Sequence, residues 1–191
     1  RVSSQAEIAE TGRTRSLARL KIVALVILVV GVVLDLVSKA YMETLLVMNP
    51  APGAGPFGRI EVIPGFLAWE GTYNEGVTFG LFGGQTNGIM LFTAVATVAL
   101  IIWLAATKRR SFWLHLGLGM ILAGALGNLY DRLHWQKVRD FILVYVGDWK
   151  WPNFNVADSL IVVGVIVILA EELFFRPKDA PAASAGTTKA P

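Results

Sequence analysis

Two aspartates, Asp140 and Asp158, each stand at the edge of an apolar run, Phe141–Val146 and Leu160–Ala170. Two carboxylates that share a site cannot both ionise readily, so one holds a proton while the other acts as a base. Such a pair can activate water against a peptide carbonyl. Little else in the chain offers comparable chemistry. Cysteine is absent, which removes a thiolate nucleophile, a disulfide framework and a sulfur-ligated metal site. His115 and His134 are the two imidazoles, with no HExxH spacing for a metalloprotease. Ser38 and Ser159 adjoin Lys39 and Asp158, but helix neighbours point apart, which argues against a Ser/Lys dyad.

Other polar residues sit where apolar ones are expected. Asp35 and Lys39 lie at i, i+4 inside a long apolar stretch, on one helix face. Ionisable groups in such a stretch are costly and become functional suspects by default, yet an ion pair that only neutralises itself is an equal alternative. Asn128, Asp131 and Arg132 close a second stretch and would also suit an anchor snorkelling to headgroups. Asp158 near a helix start would complement the macrodipole, and Asp140 by itself reads as a solvated loop carboxylate. Asp131 is the main rival for a place in the dyad. Its neighbours Arg132 and Asn128 favour a helix-end network instead. Gly119, Ala123 and Gly127 form a small-residue stripe that reads as helix packing.

The elements that must carry these residues follow from composition. Of 191 residues 54% are hydrophobic and 16% charged, against about 25% charged in ordinary globular chains. With a mean hydropathy of +0.57, this is a membrane composition. The 17 Lys and Arg lie mostly beside apolar runs, so the basic charge reads as membrane topology and not as a nucleic-acid footprint. Four stretches are near the ~20 residues a crossing helix needs: 20–42, 88–107, 111–130 and 153–175. The first is not a cleaved signal, because no small-residue cleavage site follows its core. The head (1–19), the turn 108–110 and the tail (176–191) carry ten basic residues, whereas the connection 43–87 has one Arg and four Glu. Both termini are therefore expected in the cytoplasm, with 43–87 and 131–152 outside. With Asp35 ~22 Å beyond Leu20, all the polar candidates, including Asn74 and Asn155, gather near the outer face. Within 43–87, Arg59–Ile63 alternates, Pro64-Gly65 signals a type II turn and Phe66–Tyr73 is rich in strand formers, which predicts a small β-hairpin. Residues 51–58 read as a flexible loop and 177–191 as a disordered tail.

Five segments, DLVSK (35–39), YNEGVTFGLF (73–82), GALGNLYDR (124–132), VRDFI (138–142) and FNVADS (154–159), together resemble the bacterial lipoprotein signal peptidases, the signal peptidase II family. They occur in that family's order and span the chain from the first helix to the fourth. Thr78 and Leu36 depart from its usual residues, and the 51–58 insert is longer than common. The resemblance implies an all-α membrane protein, four transmembrane helices with a small β-cradle on the outer surface of the inner membrane. It implies an aspartyl protease that cleaves diacylglyceryl-modified prolipoprotein on the amino side of the lipidated cysteine. Carried over by motif, Asp140 and Asp158 form the dyad, and Asp35, Lys39, Asn74, Gly76, Asn128, Arg132 and Asn155 are supporting positions. No metal or organic cofactor is expected, nor a nucleic-acid partner. The partners are the lipidated substrate and membrane lipids, and the chain is expected to act as a monomer. On physics alone a small transporter also carries intramembrane charges, but it needs polar groups reachable from both sides and often repeated halves. The stretch 88–107 is bare of charge and no internal repeat is visible. A non-catalytic scaffold would leave two unpaired aspartates unexplained.

Overall fold

The computed structural model describes residues 2–50, 57–76 and 86–175. Most of the 51–58 insert, the tail 176–191 and the Val77–Phe82 part of the second motif, with Thr78, lie outside the described residues. Four helices form the body: α1 (Val2–Val47), α2 (Thr86–Ala106), α3 (Phe112–Trp135) and α4 (Val156–Ala170), the last continued by a π-helical turn over Glu171–Phe175. Helix α1 starts well before the predicted Leu20 and runs 46 residues. Three helical stretches, Thr14–Val47, Gly88–Ala106 and Phe112–Trp135, are long and apolar enough to cross a membrane. Hydrocarbon offers no partner for peptide groups, so such runs close their own hydrogen bonds as helices.

Helix α3 is the centre of the bundle and packs against the other three. Its start is capped by Ser111, whose Oγ accepts from the Leu114 N–H at 3.1 Å. Its end is turned by Gln136 in the left-handed region at φ 59°. The small-residue stripe faces α1, with Gly119 against the backbone of Ala24, Ala123 against Gly31 and Gly127 against the Asp35 carboxylate. Gly124, on the adjoining face, lies against the Ala157 carbonyl of α4. A side chain at Gly127 or Gly124 would push a helix away, so these close approaches place Asp35 and the start of α4 beside α3.

The predicted hairpin is present as β1 (Arg59–Ile63) and β2 (Leu67–Asn74), turning through Gly65 at φ 79°. It is half of a larger sheet. The segment expected to be an outer loop, 131–152, instead holds the last turn of α3, then β3 (Val138–Val146) and β4 (Trp149–Lys150). The sheet is antiparallel in the order β1-β2-β3-β4, so an all-α description is too narrow. Strand β3 is buried along most of its length, so it lacks the polar–apolar alternation that marks a half-buried strand. Met42, Leu46 and Phe141, flanked by Phe57, Ile60 and Trp69, form a core that seats the sheet on the end of α1. Trp69 pairs with Ile142 and Thr72 with Asp140, so β2 carries one extra residue there. A bulge of this kind re-aims nearby side chains, and it lies directly beside Asp140.

Candidate active site

Asp158 enters the site through the start of α4. Asn155 caps that helix: its Oδ1 accepts from the Asp158 N–H at 3.0 Å, and Asp158 Oδ2 accepts from the Asn155 N–H at 3.2 Å. This reciprocal capping box fixes the Asp158 side chain against the helix end. Asp158 Oδ1 also accepts from Asn128 Nδ2 at 2.8 Å. Asp140 arrives from β3 and accepts two amide bonds, from Asn155 Nδ2 to Oδ1 at 2.6 Å and from Asn74 Nδ2 to Oδ2 at 3.1 Å. Asn155 therefore contacts both carboxyls, that of Asp140 through its side-chain amide and that of Asp158 through its backbone N–H. Asn74 is itself oriented by the Gly76 N–H, which donates to its Oδ1 at 2.9 Å, and Gly76 needs φ 90° to do so.

Burial, together with the charge on Asp158, pushes the Asp140 carboxyl from 3.8 up to about 7, against the opposing pull of Asn74, Asn155 and Lys39. Near neutral pH the carboxyl is thus poised between its two forms. This suits a pair that must give and take protons.

Behind the dyad lies a buried polar layer. Lys39 Nζ is 2.7 Å from Asp35 Oδ2, 3.0 Å from Asn128 Oδ1 and 3.4 Å from Asp131 Oδ2. Asp35 Oδ1 accepts from the Ala157 N–H at 2.9 Å, satisfying an open donor of α4's first turn. Asp35 and Lys39 are therefore more than a self-contained pair, because each also grips a different helix. Asp131 joins this layer without Arg132: it is bonded by Arg139, with Nη2 at 2.8 Å from Oδ1. The helix-end network expected for Asp131 exists, but its cation comes from β3. The Arg132 side chain makes no hydrogen bond or ion pair among the described residues and lies within electrostatic reach of Asp158, Asp140 and Asp131. Ser38 and Ser159 bond carbonyls of their own helices, Asp35 O and Asn155 O.

The structure thus brings Asp35, Lys39, Asn74, Asn128, Asp140, Asn155 and Asp158 into one cluster, with Gly76 acting through Asn74. Sequence reasoning missed Arg139, Glu43 and Tyr73. Arg139 Nη1 donates to Glu43 Oε2 at 3.1 Å, and the Tyr73 hydroxyl donates to Glu43 Oε1 at 2.8 Å. The readable signal was the series Asp35, Lys39, Glu43 at four-residue steps on α1. Among the described residues no group of His, Asp or Glu is placed to hold a metal.

Two hollows open beside the two aspartates, one at each. One of about 360 Å³ is lined mainly by polar residues, Thr72, Asn74, Glu75, Asp140 and Asn153 among them. The other, about 370 Å³, runs along α4 from Asp158 and Ser159 past Trp151, Phe154, Val162 and Val163.

The chain resembles known proteins over most of its length. A family model described as signal peptidase (SPase) II matches residues 27–174. A lipoprotein signal peptidase of Pseudomonas aeruginosa is 40% identical over 156 residues, covering 79% of this chain and 87% of that protein. One of Anaplasma phagocytophilum is 38% identical, covering 81% of this chain and 94% of its own length. A solved structure described as a bacterial membrane enzyme superimposes with a TM-score of 0.67 at 28% identity, covering 80% of this chain and 94% of its own.

Proposed function

The chain belongs to the signal peptidase II family, and from that membership we propose how its cluster works. It is a membrane protease that removes the signal peptide from prolipoproteins. The finer reading is an aspartyl endopeptidase acting on diacylglyceryl-modified precursors, with cleavage on the amino side of the lipidated cysteine. The observation that carries it is Asn155, whose amide holds Asp140 while its oxygen and backbone hold Asp158.

In the reaction, a water between the two carboxyls loses a proton to the ionised one as its oxygen attacks the scissile carbonyl carbon. The other carboxyl gives its proton to the carbonyl oxygen, forming a tetrahedral diol. As the diol collapses, one of its hydroxyls gives its proton to the ionised carboxylate while the C–N bond breaks and the leaving amine takes the proton of the other carboxyl, so the single shared proton is restored. Coupled carboxyls titrate as a pair, so the shared proton belongs to both. The Asn74, Asn128 and Asn155 amides hold the pair in place without contributing charge.

Four crossings with both termini in the cytoplasm fit the charge pattern, and they place the dyad and the sheet at the outer face of a bacterial inner membrane. Helix α4 has 15 α-helical residues and a five-residue π-helical turn, together approaching ~30 Å. The apolar hollow at Asp158 then faces hydrocarbon and the polar hollow at Asp140 faces water.

The test is incubation of the full chain, purified in detergent, with lipidated and unlipidated forms of one precursor, and mass spectrometry of the products. The expected result is a new N-terminus at the lipidated cysteine, obtained from the lipidated form. Absence of cleavage, or cleavage at another bond, contradicts the reading.

A further inference from the structure

Arg139 stands next to Asp140 in β3 but belongs to none of the steps above. It is a buried cation, and its bonds to Asp131 are unusually complete: backbone N–H to Oδ2 at 3.0 Å, Nε to Oδ2 at 3.3 Å and Nη2 to Oδ1 at 2.8 Å. Its remaining nitrogen reaches Glu43, and its guanidinium lies 4.0 Å from the Trp135 ring centroid. Asp131 is fully buried and is also 3.4 Å from Lys39 Nζ, so it competes with Asp35 for the one ammonium. That ammonium has a further task. By donating to Asn128 Oδ1 at 3.0 Å it leaves Asn128 Nδ2 to face Asp158 Oδ1 at 2.8 Å. Asn155 Nδ2 shares the same Asn128 oxygen at 3.1 Å.

We propose that Arg139 is a positioning residue for cleavage: by saturating Asp131 it keeps Lys39 on Asp35 and Asn128, and through Asn128 it holds Asp158 in register with Asp140. The inference rests on the assignment of Asp140 and Asp158 as the dyad. Without Arg139, a buried Asp131 lacks its main partner, and an unpaired buried charge captures whatever cation is near. Lys39 needs to close a gap of less than 1 Å beyond ordinary ion-pair distance to answer it. Asn128 then loses one of the two donors that fix its amide oxygen, and its bond to Asp158 Oδ1 loosens with it. Lys39 also favours the ionised form of Asp140, so its retreat moves the dyad's proton loss to higher pH. The charged and titratable groups facing this region are Asp35, Lys39 and Glu43 from α1, Tyr73 from β2, Asp131 and Arg132 from α3, and Asp158 from α4.

The experiment compares Arg139→Met, Arg139→Lys and the double variant Arg139→Met/Asp131→Asn as full chains in detergent. The readouts are kcat and KM on a lipidated precursor, the pH profile and Tm, with rates expressed per folded enzyme. Arg139→Met is expected to lose about tenfold or more in kcat with a smaller change in KM, and to shift its alkaline limb upward. The double variant should recover most of kcat and return the limb, because the carboxylate that draws Lys39 away is gone. Arg139→Lys keeps the charge but not the forked grip, and should fall between. A lowered Tm with wild-type kcat and an unmoved alkaline limb in Arg139→Met would overturn the proposal. If that variant does not fold, Arg139→Lys decides: reduced kcat at unchanged Tm supports the proposal, and wild-type kcat and pH profile refute it. Asp140→Asn in the same assay separates the two failures. Should it still cleave, the dyad assignment falls; should it be inactive while the Arg139 variants match wild type, the positioning role alone falls.

Discussion

Replacing the carboxyl at Asp140 by an amide is expected to make the protein more stable while it destroys activity. Burial and the neighbouring Asp158 move this carboxyl from 3.8 to about 7. At ~1.36 kcal/mol per pH unit, that gap corresponds to ~4 kcal/mol of folding free energy withheld when Asp140 is ionised. The folded-state value is raised, so the stability is intact below about pH 4, is lost as pH climbs toward 7, and is flat above that. Asp140→Asn escapes this loss, but one of its N–H groups must turn toward the Asn74 or Asn155 donors, at a cost of ~1–2 kcal/mol. The net gain at pH 8 is therefore ~2–3 kcal/mol, or about 5–10 °C in Tm for a chain of this size. The six tryptophans allow Tm to be read by intrinsic fluorescence in detergent between pH 4 and 8. The variant should start level with or slightly below wild type at pH 4 and pull ahead between pH 4 and 7. A Tm difference that does not change with pH, or a variant less stable at pH 8 than wild type, would refute the claim that the site is held at the expense of stability.

Asp35→Asn and Lys39→Met should each cut kcat by about tenfold or more, and the double variant should not recover, because Asp35 also holds the Ala157 N–H and Lys39 also holds Asn128. Recovery of rate and Tm together in the double variant would reduce them to a self-neutralising pair. Gly127→Ala should lower Tm by several degrees and depress activity, since a Cβ there runs into the Asp35 carboxylate; wild-type Tm would contradict the close α1–α3 contact. Introduced cysteines report topology in a chain that has none: a thiol at Ser111 should resist labelling from outside intact cells, and one at Trp149 should react. The reverse pattern would invert the orientation.

Much of the frame was legible in the sequence because its signals are local. Long apolar runs mark helices, and Pro64-Gly65 between strand formers marks the β1–β2 turn. Strand β3 has no period to read, because Val138–Val146 is buried along most of its length and its two charged residues, Arg139 and Asp140, are adjacent and both buried. Two-residue β4 lies below what any pattern can signal. The dyad residues stood out as aspartates beside apolar runs, but their pairing rests on Asn155, whose double role depends on β3 meeting the start of α4. Spacing offers Asp131 partners from its own helix, since neighbours are what spacing shows. The true partner, Arg139, reaches it only after Gln136 reverses the chain in the left-handed region. Lys39 and Asp35 were visible as a pair, whereas their second contacts, to Asn128 and Ala157, cross between helices and leave no mark in local sequence.

Single-turnover cleavage of a lipidated precursor by Asp140→Asn and by Asp158→Asn shows whether two aspartates share the work of activating water. Each variant is expected to lose two or more orders of magnitude in rate while remaining folded, because an amide can neither accept the water's proton nor pass one on. Near-normal cleavage by either folded variant would remove that residue from the dyad and contradict the account.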